Sequence, residues 1–339
     1  MKLSQLGEKR CLEIIRRYTN MNPYLEIGFG DDAAVFRMNK KGERMALSTD
    51  MLVEGVHFLF PYLSYRDLGA KSYEVNASDM AAMGAWPVAA FLSLGMPPET
   101  EVRQMREFYQ GFSRAAGRHE CAIAGGDMVR SDRFIVCVTI IGKYRAGSRP
   151  LLRSDARPGH HVYVTGWPGE SGMGLKLLEE AFHTKGGRKF SALVKRHLFP
   201  LARVQEGDAL AQSHATGAVI DVSDGIYNEL NHIALLSNVR LKIRASSLPI
   251  SPLLSRASEM RGINPLDMVL FGGEDYELLF TSSLPPDRIR DMLKLQGTAT
   301  PVHEIGWVEK GTGVFILDEK DRMIEIVDKT FQHFSLERR

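Results

Sequence analysis

Cysteine is scarce in this chain of 339 residues. Cys11, Cys121 and Cys137 are the three thiols, and their wide spacing does not resemble a paired site. An odd number of isolated thiols excludes a disulfide scaffold and argues against zinc held by thiolates. The cysteine pattern therefore favours a reducing compartment, and we predict a cytoplasmic location.

Long apolar runs and an excess of charge of one sign are also missing. No stretch reaches the roughly 20 apolar residues that a membrane helix needs, and the N-terminus lacks the apolar core of a signal peptide. Lys and Arg number 43 and Asp and Glu 41, so the net charge is +2. This balance gives no strong field that would attract nucleic acid. We predict neither a membrane nor a nucleic-acid partner.

The standard nucleotide-binding motifs do not occur either. The sequence has no Gly-x-x-x-x-Gly-Lys-Ser/Thr loop, and Gly28-Phe29-Gly30 lacks the third glycine of a dinucleotide fingerprint. The His-Arg-Asp and Asp-Phe-Gly sets of protein kinases do not occur in a suitable order. Any ATP site must therefore be of another kind, and a site that holds the phosphates through metal ions is one that this sequence allows.

Short motifs that combine Asp or Glu with Gly, Ser or small apolar residues are abundant. Six such clusters occur, at 30–32, 48–50, 76–79, 125–127, 221–224 and 272–275. A single Asp beside Gly often marks a surface turn or a helix cap, but six clusters together weaken that explanation. Carboxylates beside apolar strands lose hydration, and hard cations compensate them. The clusters predict a site for several magnesium ions and phosphate.

The hydrophobic pattern predicts an α/β fold. In the first half we expect helices over 6–18, 66–83 and 99–118, and strands over 33–37, 45–49, 121–124 and 134–141, with 125–127 as a turn. In the second half we expect strands over 161–165 and 218–222 and helices over 172–182 and 225–236. Gly, Pro, Arg and Ser are enriched over 147–158, which predicts domains at 1–148 and 149–339.

Several motifs together resemble the thiamine-monophosphate kinase family. In the first half these are Gly-Phe-Gly-Asp-Asp-Ala-Ala-Val, Ser-Thr-Asp-Met-Leu-Val-Glu-Gly-Val-His-Phe, Val-Asn-Ala-Ser-Asp-Met-Ala-Ala-Met-Gly-Ala and Gly-Gly-Asp. Arg-Ser-Asp-Ala-Arg-Pro-Gly, Asp-Val-Ser-Asp-Gly and Gly-Gly-Glu-Asp-Tyr-Glu-Leu follow in the family's order. The resemblance covers about residues 6–334 and departs at Ala77, Gly172-Met173 and Phe331 without losing a carboxylate.

The resemblance implies the fold of the aminoimidazole ribonucleotide synthetase superfamily. Its members have two α/β domains, bind ATP between them, and dimerise through the sheet of the N-terminal domain, so we expect a homodimer. A relative of the selenophosphate branch would require a reactive Cys or selenocysteine early in the chain. A hydrogenase-maturation relative would want a C-terminal Cys, which this sequence lacks.

The resemblance also implies roles for individual residues. The residues that match the family's magnesium ligands, through side-chain or backbone oxygens, are Asp32, Ser48, Thr49, Asp50, Asp79, Asp127, Asp221 and Asp224. Those that match its ATP contacts are Tyr109, Gly126, Asp127, Arg153 and Ser223. His57, Glu274 and Phe331 match contacts to thiamine phosphate, whose cationic thiazolium ring suits carboxylate and aromatic partners. Core packing for Tyr109 and solvation for Arg153 are equally compatible with the sequence.

The implied reaction is magnesium-dependent phosphorylation of thiamine monophosphate by ATP. The acceptor is itself a phosphate that is largely ionised at neutral pH, so we predict direct in-line transfer and nominate no catalytic base. Two alternatives stay open. Another ATP-using enzyme of the superfamily would phosphorylate an amide or similar oxygen, and a regulatory module would bind ATP and metal without turnover.

Overall fold

A computed structural model describes residues 8–19, 21–38, 43–184 and 191–330 of the protein. No helix in these ranges is long and apolar enough to cross a membrane. The described cysteines Cys11, Cys121 and Cys137 are all free thiols.

Residues up to Lys143 form the first half. Its elements are α1 (Glu8–Arg16), β1 (Leu25–Ile27), β2 (Ala34–Arg37), β3 (Arg44–Val53), α2 (Tyr65–Ala82), β4 (Trp86–Met96), α3 (Val102–Ala116), β5 (Ala122–Arg130) and β6 (Ile135–Lys143). The strands form a six-stranded sheet in the order β1-β2-β3-β6-β4-β5. Neighbouring strands are antiparallel except β4 and β5, which are parallel. Strand β5 therefore forms one edge of this sheet.

Residues from His161 onward form the second half. Its elements are β7 (His161–Thr165), α4 (Glu170–Thr184), α5 (Ser191–Leu198), α6 (Val204–Gln212), β8 (Thr216–Asp221), α7 (Ile226–Ser237), β9 (Arg240–Arg244), α8 (Pro252–Glu259), α9 (Pro265–Phe271), β10 (Leu278–Ser282), α10 (Pro286–Leu295), β11 (Val302–Glu309) and β12 (Gly313–Leu317). They build a second six-stranded sheet in the order β12-β9-β11-β7-β10-β8. Strands β8 and β10 pair antiparallel, so the loop after β8 and the loop before β10 lie at the same end of the sheet.

Helix α2 lies between the two halves and is buried on almost every side. It begins at a capping box in which the Ser64 side chain accepts from the backbone N–H of Asp67. It packs on α3 through glycines, since a Cβ at Gly69 would lie 2.0 Å from the Phe108 carbonyl oxygen. On its other side α2 contacts α6 and β8 of the second half. A helix in this position must pair its polar side chains internally.

Two polar side chains of α2, those of Ser78 and Glu74, have hydrogen-bond or ion-pair partners outside the helix. Ser78 Oγ donates to Asp221 Oδ2 across the two halves at 2.7 Å. Glu74 is ion-paired with Arg118 and also accepts from the backbone N–H of Ala202 at 2.8 Å. These contacts fix how the second half sits against α2, and they hold the acidic residues of both halves close together.

The predicted elements mostly agree with the structure, and one prediction is wrong. Residues 125–127 do not form a turn, because Gly125, Gly126 and Asp127 lie inside the regular strand β5. The prediction also missed β4, which pairs with both β5 and β6. The chain changes from the first sheet to the second between Lys143 and His161. The domain boundary at 148/149 stays a proposal within this segment.

Candidate active site

Three carboxylates from separate elements meet where the halves contact each other. Ligand-competent oxygens of Asp32, Asp79 and Asp221 all lie within 4.8 Å of one another. Asp32 follows β1, Asp79 lies near the end of α2, and Asp221 is the last residue of β8. Burial, followed by the charges of neighbouring carboxylates, raises the pKa of Asp79 and Asp221 well above the ordinary value. Ionised carboxylates are therefore unfavourable at these positions unless positive charge is bound near them.

Strand β3 adds further oxygens to this acidic cluster. Side chains alternate between the two faces of a strand, and Ser48 lies on the face toward α2, where its Oγ donates to Asp79 Oδ2 at 2.5 Å. Asp50, two residues on, shares that face and remains accessible to solvent. Crowding by protein atoms raises the pKa of Asp50, and the charges of Asp32 and Asp224 raise it further.

The side chain of Thr49 lies on the opposite face of β3. Its Oγ1 donates to the Val138 carbonyl at 3.1 Å and accepts from Thr139 Oγ1 at 3.1 Å. The structure therefore does not bring the Thr49 side chain to the acidic cluster, although the neighbouring Ser48 is part of it.

The loop after β8 carries Asp224 beside a buried carboxylate that the sequence reasoning missed. Glu229 on α7 is buried, and its Oε1 accepts from the backbone N–H of Asp224 at 3.2 Å. Burial and the charges of Asp224 and Asp221 raise the pKa of Glu229. Glu229 holds this loop in place because it satisfies a backbone donor next to the cluster.

Arg153 contacts the cluster from the segment that joins the two halves. Its guanidinium donates to both oxygens of Asp32, with Nη2 2.5 Å from Oδ1 and Nε 3.1 Å from Oδ2. Burial lowers the pKa of Arg153, but Asp32 outweighs that effect and raises it above the ordinary value. The backbone N–H of Arg153 also donates to Asp31 Oδ1 at 2.8 Å. A fixed guanidinium at this place suits phosphate oxygens.

Gly126 and Asp127 lie away from the cluster on the exposed edge strand β5. Asp127 Oδ1 accepts from the backbone N–H of Met128 at 2.8 Å. Strands β6 and β4 lie between β5 and β3, so three steps of about 4.8 Å, about 14 Å in all, separate Asp127 from the strand that carries Asp50. Gly126 packs tightly on β4, since a Cβ there would lie 1.8 Å from the Leu92 carbonyl oxygen.

Tyr109 lies on α3 and is half-buried, with its ring edge-on to Phe108 at 5.6 Å between centroids. Burial raises the pKa of its phenol. Tyr109 also lines an open groove of about 520 Å³ along α3, together with Met105, Arg106, Gln110, Ser113 and Arg114. The structure thus accounts for Tyr109 both as a packing residue and as a groove residue.

The residues predicted to contact the acceptor lie beside the cluster. The backbone N–H of Glu274 donates to the Ser223 carbonyl at 2.6 Å, which joins the loop before β10 to the loop after β8. His57 Nδ1 accepts from the backbone N–H of Val53 at 3.1 Å, and His57 is close enough to Glu274 to be among the groups that lower its pKa. Ser223, His57 and Glu274 are thus brought into one region. Phe331 lies outside the described residues.

Glu274 belongs to a loop with an unusual backbone. Glu274 and Tyr276 have φ values of 54° and 51°, a left-handed region that costs such residues about 1 kcal/mol or more each. Asp275 between them is half-buried and accepts from the backbone N–H groups of Gly169 and Ser171 at the start of α4. Burial raises the pKa of Asp275 to about 8 despite these hydrogen bonds. The loop is held in a strained form by its neighbours.

The acidic cluster has the donor set that a hard divalent cation requires. It offers carboxylate and hydroxyl oxygens, and in the described part of the chain Arg153 is the cation shown to contact it. One guanidinium does not balance the carboxylates of Asp32, Asp50, Asp79 and Asp221, so bound cations would relieve their mutual repulsion. The residues present therefore fit magnesium.

Comparisons with known proteins agree with the architecture. Residues 30–144 match the N-terminal domain of AIR synthase related proteins, and residues 157–319 match the C-terminal domain. The chain is 36% identical over 335 residues to thiamine-monophosphate kinase of Aquifex aeolicus, covering 98% of this chain and 100% of that one. It is 35% identical to the Bacillus subtilis enzyme of the same name, covering 91% and 94% of the two chains.

A solved structure described as AaThiL complexed with AMPPCP and TMP has the same fold. It superposes with a TM-score of 0.84 at 34% identity and covers 98% of this chain and 99% of the other. The agreement in sequence, in both domains and in fold extends over nearly the whole chain, and the chain belongs to the thiamine-monophosphate kinase family of AIR synthase related proteins.

Proposed function

We propose that this protein transfers the γ-phosphoryl group of ATP to the phosphate of thiamine monophosphate, giving thiamine diphosphate and ADP. The observation that carries the proposal is the backbone hydrogen bond between Ser223 and Glu274. It joins the loop that follows the acidic cluster to the loop that carries the candidate acceptor contact. A donor phosphate near the cluster and an acceptor near Glu274 would therefore lie side by side.

The acidic cluster is the proposed site of magnesium. Asp32, Ser48, Asp50, Asp79, Asp221 and Asp224 would hold the ions. When bound, magnesium supplies the positive charge that lets two phosphate groups approach each other. The Ser78 hydroxyl keeps Asp221 oriented, and Ser48 does the same for Asp79.

Arg153 and Ser223 are the proposed ATP contacts next to the cluster. Arg153 already lies within 3.1 Å of Asp32 through two donors, so its planar cation can reach phosphate oxygens bound at the same place. On the acceptor side, Glu274 provides a carboxylate for the cationic ring, and His57 lies in the same region. The acceptor oxygen is ionised at neutral pH, so in-line transfer needs positioning and charge compensation rather than a general base.

A homodimer through β5 is the proposed assembly. All nine residues of β5 are exposed, and apolar side chains such as Ile123, Met128 and Val129 stand open on this edge strand. An exposed apolar edge strand invites pairing with another chain, and a second copy would cover it. In such a dimer Gly126 and Asp127 of one protomer would lie at the interface and could contact the nucleotide of its partner. The free thiols support the cytoplasmic location that we propose.

Product analysis with purified protein tests the proposed function. Incubation with ATP, magnesium and thiamine monophosphate is expected to give ADP and thiamine diphosphate in equal amounts. A different phosphorylated product in a substrate screen would favour another activity of the superfamily. Magnesium-dependent ATP binding without turnover would favour a regulatory module.

A further inference from the structure

Lys71 is a buried cation in the middle of α2. Its side chain is 1% exposed, and its Nζ lies 3.0 Å from Glu274 Oε2 and 3.3 Å from the His197 carbonyl oxygen. A buried ammonium is unfavourable unless it is paired with an anion and hydrogen-bonded. The contact joins the first half of the chain to the loop that carries the candidate acceptor residue.

Glu274 is held from several sides through one of its two oxygens. Besides Lys71, the ring of His197 contacts Oε2, with Nδ1 at 3.1 Å, and the same nitrogen lies 3.2 Å from Ser171 Oγ. The backbone of Glu274 is fixed by its bond to Ser223. The Lys71 ammonium and the His197 ring both contact Oε2, which leaves Oε1 outside these two contacts.

The carboxylate, and not the ammonium, is accessible to solvent. The Glu274 side chain is 27% exposed, against 1% for Lys71. Burial raises the pKa of Glu274, but the charges of Lys71 and then His197 outweigh it, so the pKa is lowered and the group is ionised.

We infer that Lys71 is a positioning residue of the acceptor subsite. Lys71 anchors Oε2 of Glu274 so that Oε1 is presented to a ligand that combines a cationic heteroaromatic ring with a phosphate. This inference rests on the proposed function and extends it to a residue from the opposite half of the chain. Lys71 acts through Glu274 and does not contact the acceptor itself. We therefore expect its loss to weaken acceptor binding and to leave ATP binding unchanged.

Kinetics of two Lys71 variants test the inference, with Arg118→Met as the matched control. Arg118 also pairs with a buried glutamate of α2, Glu74, but is not a contact of Glu274. Lys71→Met is expected to raise the KM for thiamine monophosphate roughly tenfold or more, with the KM for ATP within about twofold. The reason is that the substitution removes the charge-assisted contact to Glu274, which is proposed to hold the acceptor and not ATP. Lys71→Arg should restore much of that loss.

A structural ion pair would behave differently. If Lys71→Met changes both KM values and kcat together, or leaves the acceptor KM unchanged, or if Arg118→Met raises the acceptor KM to the same extent, the inference is overturned. Should Lys71→Met fail to fold, the double variant Lys71→Met/Glu274→Gln removes both buried charges. If Lys71 acts through Glu274, the double variant has the same acceptor KM as Glu274→Gln alone. A higher acceptor KM for the double variant than for Glu274→Gln would contradict the inference.

Calorimetric binding separates this inference from the proposed reaction. Wild-type protein that binds thiamine monophosphate but does not phosphorylate it would overturn the proposed function alone. Weaker binding by Lys71→Met, with Arg118→Met unchanged, would then still support the positioning role. Equal binding by all three proteins would overturn the positioning role.

Discussion

The backbone N–H of Glu274 donates a 2.6 Å hydrogen bond to the carbonyl oxygen of Ser223. This bond joins two loops from neighbouring strands of the second sheet, β8 and β10, at the edge that faces α2. One loop continues from the carboxylate of Asp221, and the other carries the carboxylate held by Lys71. The bond sets a short, fixed separation between the candidate phosphate-donor and acceptor sites.

Asp79→Asn is expected to separate stability from activity. The substitution removes one charge from a buried cluster of carboxylates and nearly conserves volume, so the metal-free variant should melt at or above the wild-type temperature. Turnover should fall on the order of 100-fold or more, because even indirect partners of a metal site cost 10- to 100-fold. Calorimetric melting and coupled ADP release measure the two effects.

Magnesium titration supplies the control for that variant. Adding magnesium should raise the melting temperature of the wild-type protein. The rise should be smaller for Asp79→Asn, because this variant has lost one proposed magnesium ligand. Equal stabilisation of both proteins would contradict the assignment of Asp79 to the metal site.

Asp50→Asn is expected to abolish turnover with little loss of fold. Asp50 is accessible to solvent, so the amide replaces it without burying an unpaired polar group. The variant is checked by its melting temperature and by acceptor-dependent ADP release. Near wild-type activity would remove Asp50 from the proposed metal ligands.

Mixed dimers test whether Asp127 serves the site of the partner protomer. Asp50→Asn and Asp127→Asn homodimers should both be inactive. If each site combines Asp50 of one protomer with Asp127 of the other, subunit exchange between equal amounts should restore roughly a quarter of the wild-type activity. Half of the mixed population is then heterodimer, with one intact site in two. No recovery after verified exchange would show that the two residues do not act across the interface.

Ser78→Ala is expected to weaken the metal site without removing a ligand. The hydroxyl donates to Asp221 Oδ2 at 2.7 Å and is buried, so its loss leaves that carboxylate unoriented. Magnesium affinity, measured from the magnesium dependence of turnover, should fall roughly tenfold. Ser72→Ala is the matched control, because Ser72 is equally buried on α2 but donates to the Leu68 carbonyl oxygen. Equal effects of the two substitutions would contradict a specific role for Ser78.

His119 is expected to make folding stability depend on pH between 6.5 and 4. Burial, and then the charge of Arg118, lowers its pKa from 6.5 to about 4, and its Nδ1 lies 2.9 Å from the Tyr73 hydroxyl. In that range the unfolded chain takes up a proton that the folded protein does not, so acidification from pH 6.5 to pH 4 favours unfolding.

Melting temperatures at several pH values check this expectation. His119→Gln should flatten the acid-side loss, while His214→Gln, at an exposed position, should leave the wild-type profile unchanged. An unchanged pH profile for His119→Gln would show that His119 does not cause the dependence.

Part of the fold could be predicted because several elements, such as the helix α3, have a strong hydrophobic period. The sequence predicts α2 and α3 to within a few residues at each end, and the family resemblance indicates Asp32, Asp79 and Asp221, which the structure brings together. The sequence predicts a turn at 125–127 because Gly125 and Gly126 are typical of turns, whereas here they continue β5 and permit close contact with β4.

Other features of the site depend on tertiary contacts that no local pattern encodes. Lys71 and Ser78 lie seven residues apart on one face of α2, and polar residues that recur at this helical spacing were the available signal. Their partners, Glu274 and Asp221, are about 200 and 143 residues away along the chain. The separation of Asp127 from Asp50 likewise follows from strand order, which periodicity does not reveal.

The most direct test of the central claim is ADP release from magnesium and ATP, with and without thiamine monophosphate, together with the mass of the product. We expect ADP release that depends on the acceptor and a product with the mass of thiamine diphosphate. ATP binding that requires magnesium, with no turnover when thiamine monophosphate is present, would contradict the proposed phosphotransferase.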